Sequence, residues 1–302
     1  MIFEPKAFYQ AFLKDYHKIK ATYLKRMLDN LSLYEQDIYG KELDTPERDA
    51  FRMTIKSDLR QTYFHSIETF FELFFALNPK GKKTFNDEYV LYNITNSKET
   101  YSKIKSIADK ESELDFLDEI IDYHNFKISI GHYLFYKGIF SKEKFPEELF
   151  EDINNSIESI KIGIRYIATD FVNRDEYNAY KHGLRIIPVA AKLKIADPET
   201  MEVKMEWDLT DSMSFYLKTN SEDELTVVTK LFDSERDYQM TFFCSNLIHH
   251  LIYYRRLSMN LYSEKEKNEK VKITIFGKEL VKNCSKINVA IQDLVYTIKR
   301  NI

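Results

Sequence analysis

The residues of this chain whose types and spacing best suit chemistry stand in one short stretch, from Asn173 through Arg174, Asp175, Glu176, Tyr177, Asn178, Ala179, Tyr180, Lys181, His182 and Gly183 to Arg185. The stretch reads as a helix. Asn173 or Asp175 can cap its start, Gly183 loosens its end, and Pro188 excludes helix soon after. At about 100° per residue, Arg174, Asn178 and His182 follow one another at i, i+4 and i+8, with Lys181 and Arg185 at neighbouring angles. That face offers guanidinium, ammonium and amide donors beside one imidazole that titrates near neutral pH. Such a set suits a phosphate or another polyanion, which the cations would hold while His182 moves a proton. Two plainer readings stand beside this one. The face can be solvated, or Asn178 and His182 can be a buried hydrogen-bond node that ties this helix to Glu68 and Glu72.

The elements that must position this stretch are mostly helices. Residues 6 to about 37 alternate aromatic and charged side chains at helical spacing, and Gly40 ends that helix. The next runs from Thr45, read as its N-cap, with Pro46 and Glu47 in its first turn, to Leu77 before Asn78 and Pro79. At 1.5 Å per residue it is about 48 Å long, the spine of the domain. Its second half is apolar over most of its circumference, yet Asp58, Gln61, His65, Glu68 and Glu72 fall within about 80° of one another. That stripe is either the exposed edge of a packed helix or the wall of a polar cavity. In the second case its carboxylates need a cation, which Arg174 or Lys181 can supply.

Further along, residues 78–97 read as loop, a short helix starts near Lys98, and another covers Leu114 to about Lys137. It contains His124 and His132, eight residues apart and without the i+3 or i+4 pairing that metal ligands on a helix need. Pro146 opens a long helix whose Ile153, Ile157, Ile160, Ile164 and Ile167 form an apolar stripe. After Pro188 the period changes. Val203–Trp207, Met213–Leu217 and Leu225–Phe232 read as three strands of a small antiparallel sheet, within a β-rich insertion over residues 189–233. Helix returns at Ser234 and continues past Arg256, carrying His249 and His250, whose side chains diverge by about 100° and cannot chelate as a pair. Val271–Ile275 reads as a strand, and a last amphipathic helix closes the chain. The expected fold is thus mainly α, a long-helix bundle with a small antiparallel β insertion, in a single helical domain.

Composition narrows the function. The 302 residues carry a net charge of -4, so any nucleic-acid contact must be local. Seven Gly and six Pro beside 15% aromatic residues favour long helices. Cys244 and Cys284 are too few and too far apart for a zinc site or a disulfide scaffold, and a reduced cytoplasm is the default reading. No run of about 18 apolar residues occurs, so no membrane span is expected. The P-loop, G-x-G-x-x-G, H-E-x-x-H and G-x-S-x-G patterns are absent, which removes the commonest NTPase, dinucleotide, zinc-peptidase and serine-hydrolase readings. Neither a cofactor nor a metal is expected.

A helical bundle with a Phe-rich central helix, followed by an Arg, a polar residue and a His on a later helix, resembles the HEPN superfamily of prokaryotic RNases and nucleotide-binding proteins. Arg174, Asp175 and His182 carry the resemblance, with seven residues between Arg174 and His182 where the family pattern has four to six. Arg60 and His65 form a second pair with four between them, in the middle of the spine. The resemblance implies metal-independent RNA cleavage with the RNA's own 2′-hydroxyl as nucleophile, an activity of toxins and phage-defence effectors. His182 would then be the proton-transfer group and Arg174 the phosphate clamp. Asn178, Lys181 and Arg185 would bind substrate, with Asp175, His65, Glu68 and Glu72 in support. It also implies a homodimer and a protein partner such as an antitoxin. Because such families contain members without catalysis, the alternative is a helical module that binds RNA, nucleotide or a protein.

Overall fold

The computed structural model describes residues 6–79, 87–140, 144–172, 176–179, 186–188, 192–209, 211–218, 224–261, 273–286 and 293–299. The fold is mainly α with small antiparallel sheets. Helices α1 (Ala7–Ala11), α2 (Tyr16–Asp29), α3 (Leu31–Tyr39) and α4 (Thr45–Leu77) come first. Helix α5 (Ser97–Asp109), hairpin β1 (Ile120–Tyr123) and β2 (Phe126–Ser129), and helices α6 (Ile130–Phe135) and α7 (Glu147–Val172) follow. Strands β3 (Ile186–Pro188), β4 (Lys192–Ala196), β5 (Val203–Asp208), β6 (Ser212–Lys218) and β7 (Glu224–Leu231) lead to α8 (Ser234–Ser258), α9 (Lys278–Ser285) and β8 (Asp293–Lys299). No helix among the described residues is long and apolar enough to cross a membrane.

Where the sequence reads as one helical domain, the chain groups into two compact units. The first comprises residues 1–19, 65–172 and 239–286, and the second residues 20–64, 173–238 and 287–302. In the first unit the rings of Phe70, Phe71, Phe74, Phe75, Phe116 and Phe135 interlock. The isoleucine stripe of α7 is buried as its spacing demands, with Ile153, Ile157, Ile160, Ile164 and Ile167 all at 3% exposure or less. Gly163 lets α7 approach the ring of Phe243, which a Cβ at this position would meet at 2.1 Å. In the second unit Ala21, Leu24, Leu43, Phe51, Ile55 and Leu59 form one core, and Ala179, Phe215 and Val228 form another beside the sheet.

Several expectations need correction. The helix expected from residue 6 to 37 is three helices, interrupted after Ala11 and at Asn30, and Gly40 ends the last of them at φ 67°. The start of α4 is capped by Asp44, not Thr45: Asp44 Oδ1 accepts from the Glu47 amide at 2.9 Å while Glu47 Oε2 accepts from the Asp44 amide at 3.2 Å, a reciprocal capping box. The helix expected over Leu114–Lys137 is a 3₁₀ segment, a hairpin and the short α6. His124 and Asn125 both take positive φ at the hairpin turn, and the β-branched Ile120 and Ile121 suit the strand that precedes it. The β5, β6 and β7 strands are where expected but do not form one sheet. Strand β5 pairs with β4, while β6 and β7 sit in the order β3-β6-β7-β8. Ile273–Ile275 is irregular, residues 271 and 272 lying outside the described ones, and β8 rather than a helix comes last, paired with β7 from Glu224↔Lys299 to Lys230↔Asp293.

Candidate functional site

Of the residues expected to act, Arg174, Asp175, Lys181, His182 and Arg185 lie outside the described residues. Asn178 lies within them, in a helical turn over residues 176–179. The turn is sided. Glu176, Tyr177 and Ala179 are at most 2% exposed, whereas Asn178 is half-buried. Tyr177 packs its ring 5.4 Å from that of Phe64, and Ala179 joins Phe215 of β6 and Val228 of β7.

Glu176 anchors the turn. Arg60 of α4 donates to it from Nε at 3.0 Å, and Lys230 of β7 reaches its Oε2 at 2.8 Å. Arg60 also donates from Nη1 to Asp237 of α8 at 2.6 Å, and its guanidinium lies 4.9 Å from the centre of the Phe64 ring. A buried carboxylate is tolerable only when paired. Burial works against ionised Glu176, but Arg60 and Lys230 outweigh it and hold its pKa below the usual carboxylate range. Asp237 goes the other way, since burial outweighs the attraction of Arg60 and pushes its pKa up to about 6. One guanidinium thus joins a helix, a turn and a second helix inside the second unit.

Residues His65, Glu68 and Glu72 of α4 are half-buried and each has an interaction partner, and Asp58 and Gln61 are half-buried as well. The stripe is therefore no bare solvent edge. The cations suggested for it, Arg174 and Lys181, lie outside the described residues. In the second Arg and His pair, the guanidinium of Arg60 is already engaged by two carboxylates.

A second charged cluster, missed in the sequence, lies inside the first unit. Asp87 Oδ2 receives the ammonium of Lys137 and has Arg255 Nε at 3.1 Å. Tyr133 donates to the same carboxylate, and Tyr9 donates to the Asp87 backbone carbonyl. Lys137 also lies over the rings of Tyr123 and Tyr133, at 5.2 and 5.0 Å from their centres. Arg255 is 0% exposed and donates from Nη1 to the carbonyls of Leu134 and Leu251, at 3.0 and 2.9 Å. Burial opposes ionisation of Asp87, yet Arg255 and Lys137 bring its pKa down. Lys137 is pushed down to about 8, first by burial and then, against the pull of Asp87, by Arg255. A signal did exist: Lys137 directly follows the aromatic run Tyr133, Phe135 and Tyr136, where a lysine must either be paired or distort the packing.

The histidines of α8 diverge as expected. His250 is buried, its Nδ1 3.2 Å from the Phe135 carbonyl, and burial pushes its pKa down to about 3. His249 stacks on Tyr253, with its Nδ1 4.0 Å from Asp15. Cys244 and Cys284 are free thiols. A scan of family models finds none that matches this chain, and searches of curated proteins and of solved structures return no match either.

Proposed function

We propose that this protein is a metal-independent endoribonuclease that works from the helix face carrying Arg174, Asn178, Lys181, His182 and Arg185. The observation that carries the reading is the sidedness of the 176–179 turn. Glu176, Tyr177 and Ala179 are committed to the interior, so Asn178 marks the side available to a ligand. On the helical repeat read from the sequence, Arg174 and His182 are expected on the side of Asn178. The engagement of Arg60 by Glu176 and Asp237 supports the choice of Arg174 over Arg60 as the phosphate clamp. In this reading Arg174 binds the scissile phosphate, and Asn178, Lys181 and Arg185 hold its neighbours. His182 takes the proton of the 2′-hydroxyl as that oxygen attacks phosphorus and the P–O5′ bond breaks, the 5′-oxygen leaving with a proton from water and a 2′,3′-cyclic phosphate remaining.

The test is cleavage of an end-labelled RNA of mixed sequence by purified protein in EDTA. Wild type should form product, and His182→Ala and Arg174→Ala should each lower the rate by about 10²- to 10⁴-fold with the fold intact. If wild type binds RNA in a salt-dependent way without product, the protein is a non-catalytic RNA-binding module. If it does neither, both readings fall.

A further inference from the structure

The cluster around Asp87 is not balanced in charge. Among the described residues, Lys137 and Arg255 bring two cations to one carboxylate. The neighbouring Glu88 also attracts Lys137, but it is shared with Lys6 at 3.2 Å, so three cations stand to two carboxylates. The tyrosines do not correct the excess either, because burial raises the pKa of Tyr9, Tyr123 and Tyr133 and keeps their hydroxyls neutral. Uncompensated buried charge is among the costliest features a core can hold.

Donors are in excess too. Arg255 is fully buried, and its Nη2 has no hydrogen-bond partner among the described residues. Its Nε contacts Asp87 Oδ2 without hydrogen-bond alignment. Asp87 itself already takes Lys137, Tyr133 and Arg255, so a further acceptor must come from elsewhere. Lys137 is followed in the chain by exposed Gly138, and Tyr123, whose ring lies against the ammonium, is half-buried.

We infer that this cluster is a binding site for one oxyanion group, a phosphate or a carboxylate, of a small molecule. The group accepts from Arg255 Nη2 and Lys137 Nζ, and its negative charge offsets the excess cation. A guanidinium fork beside an ammonium is the donor arrangement that matches such a group. This site is independent of the RNA-cleaving reading, since none of its residues belongs to that face.

The experiment is thermal unfolding and titration calorimetry of the full chain with inorganic phosphate and with acetate, against sodium chloride at equal ionic strength. Wild type should gain stability saturably with at least one of the two oxyanions, as a ligand that binds only the folded state requires. A response to phosphate alone assigns the site to phosphorylated ligands, and a response to acetate alone assigns it to carboxylates. Lys137→Met leaves Asp87 and Arg255 as a neutral pair, so this variant should fold and bind at least about tenfold more weakly. Arg255→Lys keeps the charge without the fork and should weaken binding likewise. Wild type that responds to neither oxyanion beyond the chloride control overturns the inference without recourse to any variant. So does an oxyanion response that Lys137→Met retains in full.

Discussion

In one unit a single guanidinium, Arg60, stands between two carboxylates, whereas in the other a single carboxylate, Asp87, stands between two cations. In the first arrangement Lys230 brings Glu176 a second cation, and Arg236 also attracts Asp237. Its products are mechanical. It holds the turn at Glu176 against α4 and α8, and its imbalance is confined to Asp237, whose pKa rises to about 6. Among the described residues the second arrangement keeps a cation too many, and Arg255 Nη2 has no hydrogen-bond partner. What sets the second cluster apart is the fully buried Nη2 of Arg255, which has no acceptor among the described residues and on which the inferred binding site rests.

The largest effect expected from this contrast is that of removing the central partner of the first cluster. Arg60→Met leaves Glu176 and Asp237 buried without their shared cation, and urea denaturation should show a loss of about 3–5 kcal/mol. Lys137→Met removes the surplus cation instead, and its loss should stay below that of Arg60→Met. Equal losses would dissolve the distinction between the two clusters. Packing offers a scale between them. Gly163→Ala forces a methyl group against the Phe243 ring and should cost about 1–3 kcal/mol in the same assay, with no effect on either charged cluster.

The pH dependence separates the clusters by sign. Asp237 has a folded pKa of about 6, above its ordinary 3.8, so between those values the folded state holds the extra proton and stability contributed by this group falls as pH rises. Asp237→Asn should abolish that component. Lys137 has a folded pKa of about 8, below its ordinary 10.5, so the unfolded state holds the extra proton between them and stability rises with pH in that window. The difference between wild type and Lys137→Met over pH 8 to 10.5 isolates this contribution. A difference of the opposite slope would show that the ammonium is not buried as described. The smallest effect belongs to Asn178, which is half-buried beside the buried Glu176, Tyr177 and Ala179. Asn178→Ala should change stability by no more than about 0.5 kcal/mol and still weaken RNA binding. A large destabilisation would mean that Asn178 belongs with Glu176 and Tyr177 as a structural residue.

Periodicity carried much of the fold. The spacing of isoleucines in α7, the apolar circumference of α4 ending before Asn78, the aromatic Phe215 and Tyr216 of β6 and the β-branched run Thr226–Thr229 of β7 are local properties, readable because helices and strands favour different spacings and residue types. Pairing was not readable. Whether β5 joins β6 or β4, and whether residues 293–299 extend β7 or coil into a helix, depends on partners distant in sequence. The hairpin at His124 was hidden for a related reason, since four-residue strands are too short for alternation to be distinguished from a helical stripe.

For the candidate sites the division is sharper. By itself the sequence supported the expectation of a face with Arg174, Asn178 and His182 in line, because the repeat of one helix is a local rule. It also called for a cation beside the Glu68 and Glu72 stripe if that stripe lines a cavity. Only the tertiary structure decided that Arg60 and Lys230 serve Glu176, across 116 residues in the case of Arg60. The same holds for Asp87, Lys137 and Arg255, which meet across 50 residues of chain in the case of Asp87 and Lys137. Charge pairing has no periodicity, and its range is set by distance in space, so no pattern along the chain announces it.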